Sequence, residues 1–358
     1  MRTKIVDNLV AVRFATLMMR IVRSVAVAMG LIGAVSLMAA CSSSSGGTTN
    51  NSSGSGGITT VSIGLPTQSK GFASLYYAAA SGVCDKLGVK LDLRILTPTA
   101  SVAAVAGGSV NFIIGSSQVP LAALQGTTKL VFVADTGAFP GEGLYALPSI
   151  RTMQDMKGKI VASSTPGGAS AEVPALMLAH AGLKTTDYKI VYTNSLNGQY
   201  AAVASGRAQA MLTSAPLPDN LIKAGVHSIE SLADDGLEYS FSNFIVGKAD
   251  YVAANKSLVG KVLKCYAAGI TGSRSDVDGT ATAVDHYIKS GVAYAKSVSP
   301  GIVSASKISP IDPATFVKIL TTYGKNITPA KAQSEANGLI DNSIIQGVGV
   351  NVPAQSAQ

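Results

Sequence analysis

The 358-residue sequence has no tryptophan, three cysteines and only 13% charged residues. Cysteines at 41, 84 and 265 alone exclude a disulfide-dense mini-scaffold, and no CxxC or Cys/His spacing suggests structural zinc. Charge of one sign is also scarce. The surplus of 28 Lys+Arg over 20 Asp+Glu forms no run or stripe. Half of it lies in residues 1–40, where Arg2, Lys4, Arg13, Arg20 and Arg23 face only Asp7. A phosphate-backbone binder needs a clustered basic footprint, so no nucleic-acid partner is expected. Catalytic signatures are missing as well: there is no HExxH, GxSxG, GxxxxGK[ST] or GxGxxG. His180, His227 and His286 are far apart in sequence. No metal or cofactor is expected, and the chain reads as a non-enzyme. What is present is hydrophobic residues at 47%, too many for a disordered chain. The length exceeds one ordinary core, so two lobes are expected.

The N-terminus reads as an export address. Arg20 and Arg23 precede the apolar run Val25 to Leu37, shorter than the ~20 residues that span a bilayer and suited to a signal-peptide core. It ends in Met38-Ala39-Ala40 before Cys41, which resembles a bacterial lipobox with Met38 where Leu is usual. That resemblance implies cleavage before Cys41 and a lipid on its thiol. Translation starting at Met18 or Met19 would shorten a long leading segment. Ser42 to Gly57 is drawn only from Ser, Gly, Thr and Asn. Such a chain is a flexible tether spanning roughly 20–24 Å root-mean-square. Residues 1–40 are therefore assigned to the signal and 41–57 to the lipidated Cys and linker. An exported domain lives under oxidising conditions. The remaining thiols, Cys84 after the first helix and Cys265 on a helix over the same lobe, are expected to bond. Two buried free thiols are the alternative.

From Ile58 onward, strands and helices alternate, which implies an α/β fold with parallel sheets. Strands are expected at Thr60–Leu65, Lys90–Leu96, Val110–Ile114 and Leu130–Ala134. The rhythm returns 98 residues later: Ala103-Ala104-Val105-Ala106 falls on Ala201-Ala202-Val203-Ala204, Gly108 on Gly206, Asn111 on Gln209 and Ser116 on Ser214. Two similar lobes follow, 58–142 plus 243–341 and 143–242. Gly143–Leu147 and Asn243–Gly247 are the crossings, and residues 255–341 read as helices covering the first lobe. Residues 342–358 read as a loose tail.

The ordered series VSIGL, GVCDKLGVKLDL at 82–93, AGGSVNF at 106–112, MKGKIV at 156–161, TPGG at 165–168 and ASGRAQA at 204–210 resembles substrate-binding lipoproteins of ABC importers, of the nitrate/sulfonate/taurine or SsuA/THI5-like type. The resemblance covers roughly residues 58–290. It implies a two-lobed periplasmic-binding-protein-like fold (type II), a monomer that closes on one small solute and delivers it to a membrane permease. The family's usual Asp is replaced here by Asn111 and Gln209, which are expected to cap turns. Sulfonate, nitrate and pyrimidine-like solutes all suit the resemblance. A lipoprotein binding a protein partner, or a pyrimidine-metabolism enzyme on the same fold, is the alternative. Pyrimidine-making relatives would need a clustered Cys motif, absent here. Sulfur-removing relatives would need a Cys at the cleft, whereas Cys84 and Cys265 read as helix-borne.

Ligands of open α/β sheets sit outside the carboxyl ends of strands. This rule selects Thr67 and Gln68, Ser116 and Ser117, Glu142, Thr165, Gly167 and Gly168, and Ser214 as ligand-binding candidates. Backbone N–H groups at the Thr165–Ser170 helix start suit a polar or anionic head; helix capping by Thr165 and Ser170 is the plainer reading. Ser116 and Ser214 are expected to face one another. Glu142 could meet an amine or ring nitrogen. Lys70 reads as a solvated surface cation more than a ligand, and of Phe72, Tyr76 and Tyr77, two are expected in the core.

Overall fold

A computed structural model describes residues 57–116, 118–137 and 141–355. The expected signal, Cys41, the tether up to residue 56, Ser117 and residues 356–358 lie outside them. Ten strands form two five-stranded sheets. The first contains β1 (Thr59–Leu65), β2 (Val89–Ile95), β3 (Phe112–Gly115), β4 (Leu130–Gly137) and β10 (Asn243–Lys248) in the order β2-β1-β3-β10-β4. The second contains β5 (Gly143–Ala146), β6 (Ile160–Ser163), β7 (Lys189–Tyr192), β8 (Ala210–Thr213) and β9 (His227–Ser231) in the order β7-β6-β8-β5-β9.

The two crossing segments are not bare connectors. β5 pairs antiparallel with β8 and β9, and β10 pairs antiparallel with β3 and β4. The other four strands of each sheet share one direction. Each crossing run is apolar, and its backbone N–H and C=O groups need partners once buried; a sheet interior supplies them. This gives each lobe one reversed strand in a mostly parallel sheet, the α/β two-lobed fold that strand-helix alternation implied.

The helices are α1 (Ala73–Ala80), α2 (Pro98–Ala106), α3 (Gln118–Gln125), α4 (Ala169–His180), α5 (Leu196–Ala204), α6 (Asp219–Lys223), α7 (Ala249–Ala254), α8 (Lys256–Ser275), α9 (Val277–Ile288), α10 (Val292–Ala305), α11 (Pro313–Tyr323), α12 (Pro329–Leu339) and α13 (Ser343–Gly347). Both faces of each sheet are covered. On one face of the first sheet, Val61, Ile63 and Leu65 pack with residues of α1, α8, α9 and α10. On the other, Ile113, Phe132, Phe244 and Val246 pack with Phe316, Ile319 and Ala332. Alternation along each strand sends neighbours to opposite cores. The second sheet likewise carries one core around Leu144, Val161 and Leu212 and another around Tyr145, Ala162 and Met211.

The 98-residue repeat is structural down to single hydrogen bonds. Thr97 caps α2 through Ala100 N–H, and Ser195, 98 positions on, caps α5 through Gly198 N–H. Gly108 and Gly206 both have φ +76°, a left-handed turn in which a Cβ would be strained. The Asn111 carboxamide oxygen accepts Ser62 N–H at 2.8 Å, and that of Gln209 accepts Ile160 N–H at 3.1 Å. These amides were expected to cap turns. Gln209 does so, its Nε2 donating to Gly206 O at 3.0 Å; both amides also clip β1 and β6 to the neighbouring chain, across 49 residues in both lobes.

Residues 342–355 are not a loose tail. Ile344 and Ile345 of α13 are buried, and Val352 exchanges backbone hydrogen bonds with Ile308 at 2.8 and 3.0 Å. The Asn342 carboxamide pairs with both backbone groups of Ile311 at 2.8 and 2.9 Å. Ile344, Ile345, Val348, Val350 and Val352, interrupted by Gly347, Gly349 and polar neighbours, give no sustained 3.6-residue period, which is why the sequence reads as loose there.

Cys84 is bonded to Cys265 with a Cα separation of 4.9 Å, both buried in the core of the first sheet. The link ties the turn after α1 to α8. Gly269 permits that approach: a Cβ there would stand 2.7 Å from Ser74 O and 2.5 Å from Ala78 Cβ.

Candidate functional site

The carboxyl ends of the strands of both sheets converge on a cavity of ≈ 80 Å³. One ordered water needs about 10–15 Å³ by the same measure, so the space suits a solute of a few non-hydrogen atoms. From the first sheet come the β1 loop Pro66–Lys70, Phe72, Ser116 after β3 and Asn243 at the start of β10. From the second come Ser164, Thr165 and Gly168–Ser170 at the start of α4, Gln199 and Tyr200 on α5, and Leu212 and Thr213 at the end of β8. Glu142, just before β5, completes the wall.

Thr67, Gln68, Ser116, Glu142, Thr165 and Gly168 thus share one cavity. Gly167 does not; it borders a neighbouring groove between α2 and α3. Ser214 is buried but stands behind the wall rather than across from Ser116. Its carbonyl accepts from Lys70 Nζ at 2.7 Å, and its hydroxyl hydrogen-bonds Glu142. The start of α4 is also arranged differently from a side-chain cap. Gly168 is the cap residue and brings no side-chain acceptor to the first turn. The Ser170 hydroxyl instead meets the Ser163 and Ser164 hydroxyls at 2.9 Å each and accepts Ser164 N–H at 3.1 Å. That network fixes the strand-to-helix loop against the cavity and leaves the positive end of α4 facing it.

Lys70 is the largest departure from the sequence reading. It is only 4% exposed, and Nζ donates across to Ser214 O and to Pro216 O, the latter at 3.2 Å. One residue of the first-sheet side is thereby anchored to the end of β8. Burial pushes its ammonium down to about 8, against the opposing attraction of Glu142. Glu142 is 8% exposed, and burial pushes its carboxyl up to about 7 despite Lys70 and the Ser214 hydroxyl. The two charges sense each other without a direct ion pair among the described residues. Among those residues Glu142 Oε2 is buried with no hydrogen-bond partner.

Of the aromatic trio at the first helix, Phe72 lines the cavity. Tyr76 is buried and stacks on Tyr287 with centroids 4.5 Å apart, and Tyr77 bonds Asp276 at 3.1 Å. Gln199, Tyr200, Thr213 and Asn243 were missed by sequence reasoning. Gln199 and Tyr200 sit in a helix whose apolar pattern looks like core, and nothing in one sequence marks them as wall residues. Thr213 adjoins Ser214 in a selected loop, and Asn243 opens a run read only as a crossing. Among the described residues no cluster of His, Cys, Asp and Glu could hold a metal, and no helix is long and apolar enough to cross a membrane.

Two α/β lobes with a cavity at converging strand ends define the periplasmic-binding-protein class of fold. Solved structures agree. A protein of Bordetella bronchiseptica RB50 superposes with TM-score 0.68 at 19% identity, covering 81% of this chain and 96% of the other. The alkanesulfonate-binding protein SsuA of Xanthomonas axonopodis pv. citri, bound to MOPS, gives 0.61 at 18% identity over 81% and 97%. The nitrate-binding protein NrtA of Synechocystis PCC 6803 gives 0.64 at 13% identity over 82% and 88%. No curated protein matches the sequence significantly. The chain belongs to the NMT1/THI5-like family, whose profile matches residues 69–275.

Proposed function

We propose that this protein is the extracytoplasmic solute-binding component of an ABC importer. It captures one small polar solute between its lobes and delivers it to a membrane permease. The observation that carries the reading is the cavity at the strand ends, walled by hydroxyls, amides and a helix start from both sheets. Family membership and the sulfonate- and nitrate-binding neighbours support it. The protein works as a monomer, tethered outside the cytoplasmic membrane or in the periplasm through lipid on Cys41. Cys41 and the segment before it carry this part from sequence alone. The domain division 58–142 plus 243–341 and 143–242 is retained for the two lobes, with residues 342–355 added to the first. Catalysis is not part of the reading: the two cysteines of the folded region are bonded to each other, and its histidines do not line the cavity.

Replacing Thr67, Ser116 and Thr165, which all line the cavity, together by Ala tests the site. Each lost hydrogen bond costs ~0.5–1.5 kcal/mol, so affinity for the solute identified by native mass spectrometry should fall at least about tenfold. Unchanged affinity by calorimetry, with a lowered melting temperature, would mean that these residues only shape turns.

A further inference from the structure

Resting on the solute-binding reading, the inference concerns which solutes the cavity accepts. Its lining holds two kinds of polar group. Most are hydroxyls and amides, which can donate or accept. Glu142 is different. Its Oε2 is buried, faces no donor among the described residues, and belongs to a side chain only 8% exposed that lines the cavity. A buried acceptor without a donor is costly, and a partner entering the cavity would relieve that cost. An acceptor-only oxyanion cannot do so while the carboxyl is ionised. It would set its own negative oxygens against the carboxylate, a like-charge contact in a poorly solvated space.

Lys70 supplies the complementary half. Its ammonium has three N–H groups, and two are engaged by Ser214 O and Pro216 O. The third remains for an acceptor. Lys70 and Glu142 line the same small cavity without closing on each other. A solute that carries an N–H or O–H donor beside an acceptor satisfies both at once.

We propose that the solute carries a hydrogen-bond donor for Glu142 next to an acceptor for Lys70, as in an amide, amidine or amino-heterocycle, and that acceptor-only oxyanions are rejected. The neighbours named for sulfonate and nitrate share the fold, but specificity is set by the side chains of the wall.

The test uses the full chain and probe pairs matched in shape: urea with nitrate, acetamide with acetate, 4-aminopyrimidine with 4-methylpyrimidine. Binding is measured by calorimetry and thermal shift on wild type and Glu142→Gln at pH 7.5, where Glu142 (about 7) is mostly ionised and Lys70 (about 8) mostly charged. The donor-bearing member of each pair should bind wild type roughly tenfold or more tightly than its mate. Glu142→Gln should narrow or invert that ratio, since it loses the charged acceptor and gains an amide donor suited to anions. A general loss of folding would weaken every probe alike and leave the ratios fixed. Tighter wild-type binding of nitrate or acetate than of urea or acetamide overturns the inference and leaves the solute-binding reading standing. So does a ratio unmoved by Glu142→Gln in a variant that melts no lower than wild type and binds the probes with undiminished affinity. Binding of no probe by either protein counts against the solute-binding reading itself, and the inference falls with it.

Discussion

Glu142→Gln should make the protein more stable at neutral pH while altering its binding, because the carboxylate is held where burial disfavours its charge. The folded-state pKa is raised from the usual 4.5 to about 7. That position already contains the attraction of Lys70 and the Ser214 hydroxyl. A group whose pKa is raised on folding contributes stability that is fully present below its unfolded pKa and lost as pH climbs through the folded one. The window is therefore pH 4.5 to 7. At ~1.4 kcal/mol per pKa unit, wild type loses about 3 kcal/mol across it relative to a neutral isostere. For a domain of this size, ~2 °C per kcal/mol makes the melting-temperature gap roughly 6 °C. The assay is a set of thermal melts of both proteins from pH 4 to 7.5 without added solute. The two curves should nearly meet at pH 4 and separate steadily up to pH 7, with Glu142→Gln the more stable. Parallel curves, or a variant that melts below wild type at pH 7.5, would refute the claim that the carboxylate is buried at an energetic cost.

Two further outcomes follow from the cysteines. Removing the Cys84–Cys265 bond, which closes a sequence separation of 181 residues, should destabilise the fold by ~2–5 kcal/mol; equal denaturant midpoints with and without reductant would argue that the bond contributes nothing. Cys41→Ser should move the protein from the membrane pellet to the soluble fraction, and a variant cleaved at its N-terminus that still pellets would dispose of the lipid anchor.

Much of the fold was legible because parallel strands buried on both faces leave continuous apolar runs and their connecting helices end in Gly. The repeat was legible because the two copies solve one steric problem with the same residues, from the Thr97 and Ser195 caps to the Asn111 and Gln209 clips. The crossings were harder. A sequence shows that Gly143–Leu147 and Asn243–Gly247 are apolar, but not that they enter each sheet reversed, since strand direction is a property of the whole topology. The site was legible as loops rather than as residues. Strand-end logic found Thr67, Gln68, Ser116, Glu142, Thr165 and Gly168, yet it read Lys70 as solvated. Burial of a lysine depends on the carbonyls of Ser214 and Pro216, and their nearness across some 145 residues has no local signature. Short segments such as Ile344-Ile345 were lost for a related reason: their burial comes from partners distant in sequence.

The order of strands in the first sheet also bears on how the chain comes together during synthesis and export. β4 is buried at all eight of its positions, yet its only strand-length sheet neighbour is β10, more than a hundred residues further along. The second sheet needs nothing outside residues 143–231, so its contacts are local and its loop-closure entropy is small. An emerging chain can therefore complete its later lobe while the earlier one still carries an unpaired strand that is buried along its whole length in the folded protein. Until β10 arrives, Leu130, Val131, Phe132 and Val133 form an open edge of the kind that templates aggregation. The lobe built from both ends of the chain thus closes last, and the interval before closure is when a holding chaperone would matter most.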